Sequence, residues 1–207
     1  MARHAVPGTW KNGMIEIGPK IFAYVQSSGI DPHGDTGVAN AGLIVGHEGA
    51  TAVDALMVPS MTRRLVAAIK KTTRKPIGKL INTHHHLDHT GGNRFFREAT
   101  IISTDKAREA LAPGFPPLPL LQRFMPRFAK EFPLMKLTLP TVTFRDHLVI
   151  HDGDRELQLW HPGTAAHTVG DAAVFLPKER ILFAGDIALH YVTPLAFQGH
   201  VGNWIKA

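Results

Sequence analysis

Short bursts of alternating apolar and polar residues mark both halves of the chain. Between them the period lengthens once to that of a helix. Residues 14–17, 21–26 and 41–45 are apolar runs bounded by Gly, Pro or Asn, as strands are. Gly46-His47-Glu48-Gly49 turns the chain into residues 51–56, which predicts a hairpin. Leu65, Val66 and Ile69 then share one face of a helix that Ser60 would cap and that runs to about Lys71. Pro76 stops it, and residues 77–81 are strand-like again. Strand, helix, strand in this order predicts a layered α/β domain, with the loop after residue 81 at the carboxyl end of a strand.

Farther on, residues 93–98 and 105–111 predict short helices around a strand at 100–103. Residues 113–140 break the rhythm. Pro113, Pro116, Pro117, Pro119, Pro126, Pro133 and Pro140 forbid long elements, yet Phe115, Leu121, Phe128 and Phe132 are too apolar for a solvated linker. The segment is an insertion, either a lid over a pocket or dimer contact, or a satellite core. From residue 141 the period of two returns, at 142–144, 148–150, 157–160, 173–176 and 181–183. Asp152-Gly153 and residues 177–180 supply turns.

Composition narrows the class. With 207 residues, 44% hydrophobic and 19% charged, residues 1–207 suffice for a single globular domain. The absence of cysteine excludes disulfides and thiolate metal ligands. The net charge of +6 is concentrated in Arg63, Arg64, Lys70, Lys71, Arg74, Lys75 and Lys79, on the predicted helix and its exit. That is a solvated face, so no nucleic-acid partner is expected. Residues 1–10 lack a signal-peptide core and no run approaches a membrane span, which predicts a cytoplasmic protein without a membrane partner.

The chemistry concentrates in His84-His85-His86-Leu87-Asp88-His89, which follows the strand at 77–81 and leads into Thr90-Gly91-Gly92. His84 and His86, two apart on extended backbone, project to one side and can share an ion. Asp88 and His89 lie farther along a loop curling toward a helix start, where they can face a second ion. His85 should point away and Leu87 should pack inward. His167 lies in a loop between two predicted strands, and Asp186 follows Gly185 at the end of another. A carboxylate has two oxygens and can bridge two cations. Imidazole and carboxylate donors without thiolate suit zinc, with iron or manganese as alternatives. Asp54, Thr83, Thr90 and Thr168 are candidates for orienting ligands from behind.

These three motifs, 83–93, 163–171 and 183–186, resemble in their order the metallo-β-lactamase superfamily, nearest its glyoxalase II-like and lactonase-like hydrolases. The resemblance implies an αββα sandwich. It also implies a first Zn2+ on His84, His86 and His167, and a second on Asp88 and His89 with Asp186 bridging. Members carry one more second-metal histidine beyond a helix and strand that close the fold. The chain stops at Ala207 with Trp204-Ile205 as the first turn of that helix, so the resemblance implies a missing C-terminal helix and strand. His200 reads as a loop residue rather than the substitute ligand.

The implied activity is hydrolysis of a small-molecule ester, thioester, lactone or amide by metal-bound hydroxide, with Asp88 orienting the nucleophile. His190 and Tyr191 would line the pocket. Antibiotic hydrolysis is not expected, because the β-lactamase branches carry Cys or Ser where this chain has Asp186. The rival expectations are a mononuclear iron persulfide dioxygenase, a metal-dependent nuclease and a non-catalytic metal-binding remnant.

Overall fold

The structure, a computed structural model, describes residues 13–26, 39–189 and 196–207. Two sheets stack face to face. Among the described residues, the larger holds seven strands in chain order. β1 (Gly13–Gly18), β2 (Ile21–Val25), β3 (Ala41–Val45) and β4 (Ala50–Val53) pair antiparallel. β5 (Ile77–Ile81), β6 (Thr100–Thr104) and β7 (Val142–Phe144) continue the sheet in parallel. The change of direction comes at helix α1 (Pro59–Thr72), the crossover that a parallel β4–β5 pair requires. The smaller sheet is an antiparallel meander of β8 (His147–Asp152), β9 (Arg155–Trp160), β10 (Ala173–Leu176) and β11 (Ile181–Phe183).

Alternation along each inner strand feeds two separate cores. Leu43, Ala52, Leu80 and Ile101 face α1, where Met61, Leu65 and Ile69 complete a cluster. Their neighbours Ile44, Val53, Ile81 and Ile102 face the other way and pack on Leu157, Leu159, Val174 and Leu176 of the second sheet. A side chain as fully buried as Leu43, Leu80 or Leu159 contributes about 1.5–3 kcal/mol over its exposed state. The result is the α/β sandwich expected, with the larger sheet between a helix layer and the smaller sheet. Among the described residues no helix is long and apolar enough to cross a membrane.

Two local readings need correction. The strand expected at 51–56 ends at Val53, because Asp54 and Leu56 adopt left-handed φ values of 61° and 64° and turn the chain sharply. Ser60 does not cap α1. Val58 is the cap, Pro59 opens the helix, and the N–H and hydroxyl of Ser60 both donate to the Glu131 carboxylate at 2.7 Å. Glu131 lies 71 residues away in the proline-rich segment, beyond the reach of a local capping rule.

That segment forms a short helix, Leu118–Phe124, and two single 3-10 turns, Pro126–Phe128 and Phe132–Leu134. Leu121, Phe128 and Phe132 are buried in the first core, whereas Phe124 is exposed. At the end of the sandwich away from residues 84–89, Asp152 accepts from the backbone N–H groups of His47 and Glu48. Arg155 there bridges Glu179 and the carbonyls of Val45 and Pro19.

Candidate metal centre

β5 delivers its last residues onto Asp54. The Thr83 N–H and hydroxyl each donate to the Asp54 carboxylate at 2.8 Å. Three residues later His86 becomes the cap of a single helical turn, α2 (Leu87–Thr90), whose Thr90 hydroxyl donates back to the His86 carbonyl. The turn is clamped onto the left-handed corner. Ala55 N–H donates to the His89 carbonyl, and Gly92 N–H to the Leu56 carbonyl. A Cβ on Gly92 would stand 2.2 Å from the Ala55 oxygen, so this approach requires glycine. Behind the loop, Asn82 and Asn93 exchange amide hydrogen bonds at 3.0 and 2.9 Å, both fully buried.

The expected donors converge. One donor atom each from His84, His86 and His167 lies within 4.8 Å of the others, and the same holds for His84, His89 and Asp186. His86 Nδ1 and His167 Nε2 approach to 2.9 Å. Asp186 stands between the groups, with Oδ1 3.3 Å from His89 Nε2 and Oδ2 3.5 Å from His167 Nε2. Gly185 makes this placement possible, with φ of 54° and a Cβ position only 2.7 Å from Thr83. Asp88 sits at the rim of the second group, its Oδ2 3.6 Å from His89 Nε2.

The hydrogen bonds determine which nitrogen each ring offers. Asp54 accepts the His89 Nδ1 proton at 2.8 Å, which leaves Nε2 aimed at Asp186. The Thr83 hydroxyl, already donating to Asp54, has a lone pair for the His84 Nδ1 proton at 3.1 Å. His84 Nε2 and His89 Nε2 are consequently buried with no hydrogen-bond partner among the described residues. Buried polar nitrogens left unpaired at one point are what a cation would satisfy.

Charge follows burial and neighbours. Burial pushes His84 well below its ordinary value, reinforced by the neighbouring rings. It also lowers His167, and it brings His85 down to about 4. Burial would lower His89 too, but Asp54, Asp88 and Asp186 outweigh it and hold this ring well above its ordinary value. For Asp186, burial pushes upward, and His89, His167 and His86 outweigh it downward.

The signs have a consequence for the metal-free protein. Its unfolded chain takes up protons on His84, His85 and His167 below about pH 6.5 while the folded chain does not. Stability is therefore lost as pH falls from about 6.5 toward about 4. His89 works in the opposite sense, its contribution being full below its unfolded value and lost as pH rises through its folded one. Within this acid window the His89 contribution is already full and constant, so the three lowered rings predict a melting temperature that drops as pH falls across it, read by thermal melts with a chelator present. A flat profile would refute the prediction.

Other expected residues fall elsewhere. Thr168 donates to Asp171, closing the loop that carries His167, and its side chain makes no hydrogen bond to the donor histidines among the described residues. Thr83 touches His84, but Thr90 bonds only backbone carbonyls. His200 is exposed and belongs to neither donor group. His190 and Tyr191 lie outside the described residues. Two residues escaped the sequence reading. Gln198 contacts His85 and His86, and the Trp204 ring packs 5.3 Å from that of His167. Neither belongs to a recurring spacing, so only folding reveals them.

The chain resembles known proteins in sequence and in shape. It is 29% identical over 153 residues to the 2,4-dinitroanisole O-demethylase subunit alpha of Nocardioides sp. (strain JS1661), covering 72% of this chain and 41% of that protein. It is 29% identical over 104 residues to an (R)-specific secondary-alkylsulfatase of Pseudomonas sp., covering 50% of this chain and 14% of the relative. The chain thus spans less than half the length of these curated relatives. Among solved structures, a metallo-beta-lactamase from Pontibacter korlensis superposes with a TM-score of 0.72 at 17% identity, covering 95% of this chain and 82% of that one. The DIM-1 metallo-beta-lactamase exposed to ceftazidime superposes at 0.69 with 20% identity, covering 93% and 79%. A family profile described as the metallo-beta-lactamase superfamily matches residues 34–203, which takes in every donor of the centre. The chain therefore belongs to the metallo-beta-lactamase superfamily.

Proposed function

We propose that the protein is a metal-dependent hydrolase of small molecules that works with two divalent ions, zinc being the best match to its donors. The observation that carries this reading is Asp186, which presents one oxygen to each of two donor groups. On this reading His84, His86 and His167 hold the first ion, and Asp88, His89 and Asp186 serve the second with Asp186 shared. Bound there, the ions supply Lewis acidity, acidifying water and polarising the bond under attack. Asp88, half-buried at the rim, would orient the attacking water and accept its proton. The buried rings exclude bulk water from the inner side and fix the donors in place. Esters, thioesters, lactones and amides are the first substrate class. The two curated relatives, named for an O-demethylase and a secondary-alkylsulfatase, support aryl ethers and alkyl sulfate esters as a second.

The test strips the protein with a chelator, restores zinc, and assays 4-nitrophenyl acetate, a thioester, an alkyl sulfate and a nitroanisole. Turnover of at least one that vanishes with the chelator and returns with zinc is expected. Zinc bound at two equivalents with no hydrolysis of any of them, or oxygen consumption with glutathione persulfide instead, would sink the proposal.

A further inference from the structure

We propose that Gln198 is a positioning residue for the first metal site, accepting the Nε2 proton of His86 so that Nδ1 turns toward His84 and His167. The inference rests on the reading that these three histidines hold an ion. An imidazole ligates through its unprotonated nitrogen, so the other nitrogen must carry the proton, and an acceptor at that nitrogen selects the tautomer. The Asp54–Thr83 pair does this for His84 and His89. It does not reach His86. The Nδ1 of His86 faces His167 Nε2 at 2.9 Å, and its Nε2 meets the Gln198 side-chain oxygen, also at 2.9 Å.

The same oxygen lies 2.9 Å from His85 Nε2. A carbonyl oxygen has two lone pairs and serves both rings, whereas the amide –NH2 would oppose their protons.

The backbone holding Gln198 is tied to the rest of the centre. The His200 N–H donates to the Ala166 carbonyl at 2.8 Å. Gly199 passes so close to the 166–167 backbone that a Cβ would stand 2.9 Å from the Ala166 oxygen. Trp204, in the short helix Val201–Trp204, stacks its edge on His167 and donates its indole N–H to the Ile187 carbonyl, beside Asp186. One strap therefore reaches His86 through Gln198, His167 through Trp204, and the Asp186 turn through the Ile187 carbonyl. Gln198 itself is exposed, so its substitution changes the acceptor without opening a core.

The experiment titrates zinc into the chelator-stripped full chain against a chromophoric competitor, for wild type, Gln198→Met and Gln198→Glu. Imidazole 15N chemical shifts of the zinc-loaded proteins report the tautomer of His86. Methionine keeps length and removes the acceptor; glutamate keeps an acceptor oxygen. The tighter zinc site should weaken about 10–100-fold in Gln198→Met. His86 should also lose its uniform Nε2–H signature there, while Gln198→Glu retains both affinity and signature. Unchanged zinc affinity and tautomer in Gln198→Met would overturn the role of Gln198, as would equal loss in both variants. A wild-type chain that binds no zinc would overturn the metal reading beneath it, a separately visible result.

Discussion

Replacing Asp186 by alanine is expected, on the proposed two-ion hydrolase reading, to lower zinc-restored turnover by on the order of 10³-fold, the scale of losing a group that meets the reacting centre directly. The reason is geometric. No other carboxylate among the described residues lies within ion-pair distance of both His89 and His167. Without it the first donor group keeps its three imidazoles, but the second retains only Asp88 and His89 from the proposed set. Zinc stoichiometry should therefore fall toward one while the first site binds nearly as before. Fold stability should barely change, because Asp186 is partly exposed in a short turn after β11 and anchors no core. Metal analysis, a thermal melt and a progress curve on the same sample separate these effects. Turnover retained in Asp186→Ala would remove the shared carboxylate from the mechanism, and two equivalents of tightly bound zinc would remove it from the second site.

Much of this arrangement is written in local pattern. The strands Ala41–Val45, Ile77–Ile81, Val142–Phe144, Ala173–Leu176 and Ile181–Phe183 coincide with their apolar runs. In such runs each side chain's face is decided by its own parity, Leu43 to one core and Ile44 to the other. The helix Asp105–Leu111 has the bounds expected from its sequence, and the structure adds that Thr104 caps it through the Ala107 N–H three residues on. The donors were legible because a metal-binding cluster advertises itself by residue type. The groups that orient those donors do not. Glu131 reaches Ser60 across 71 residues, and Gln198 reaches His86 across 112. Glutamate and glutamine are common surface residues, so nothing in their own surroundings marks them as partners. Long-range polar pairing has no period. It emerges only when the sheets bring distant segments together.

Asp54 is the extreme case of such pairing, and its replacement carries the second large expected effect. The carboxylate is buried and accepts from Thr83 N–H, Thr83 hydroxyl and His89 Nδ1, each at 2.8 Å. Through Thr83 it also fixes His84. One side chain therefore sets which nitrogen faces inward in both donor groups, the nitrogens that would meet the ions on the proposed reading. Asparagine tolerates the left-handed φ of 61° and fills nearly the same volume, so the fold of Asp54→Asn should persist. The Thr83 N–H can only donate and holds the asparagine oxygen, so the –NH2 takes the place of the other carboxylate oxygen and faces both the Thr83 hydroxyl, which can rotate to accept, and His89 Nδ1. A donor there forces Nδ1 to accept and moves the proton to Nε2, the nitrogen facing Asp186. The blocked nitrogen should weaken the second zinc site about 10–100-fold, with turnover falling alongside. Asp54→Ala should do more harm. It leaves the Thr83 and His89 N–H groups buried without an acceptor, at about 1–3 kcal/mol for each. Alanine also pays for the left-handed backbone. The two variants consequently separate tautomer from stability: asparagine should lose metal at nearly unchanged melting temperature, whereas alanine should lose both. If Asp54→Asn takes up two equivalents of zinc as tightly as the parent, the buried carboxylate is a structural anchor and the choice of nitrogen lies with the ion itself.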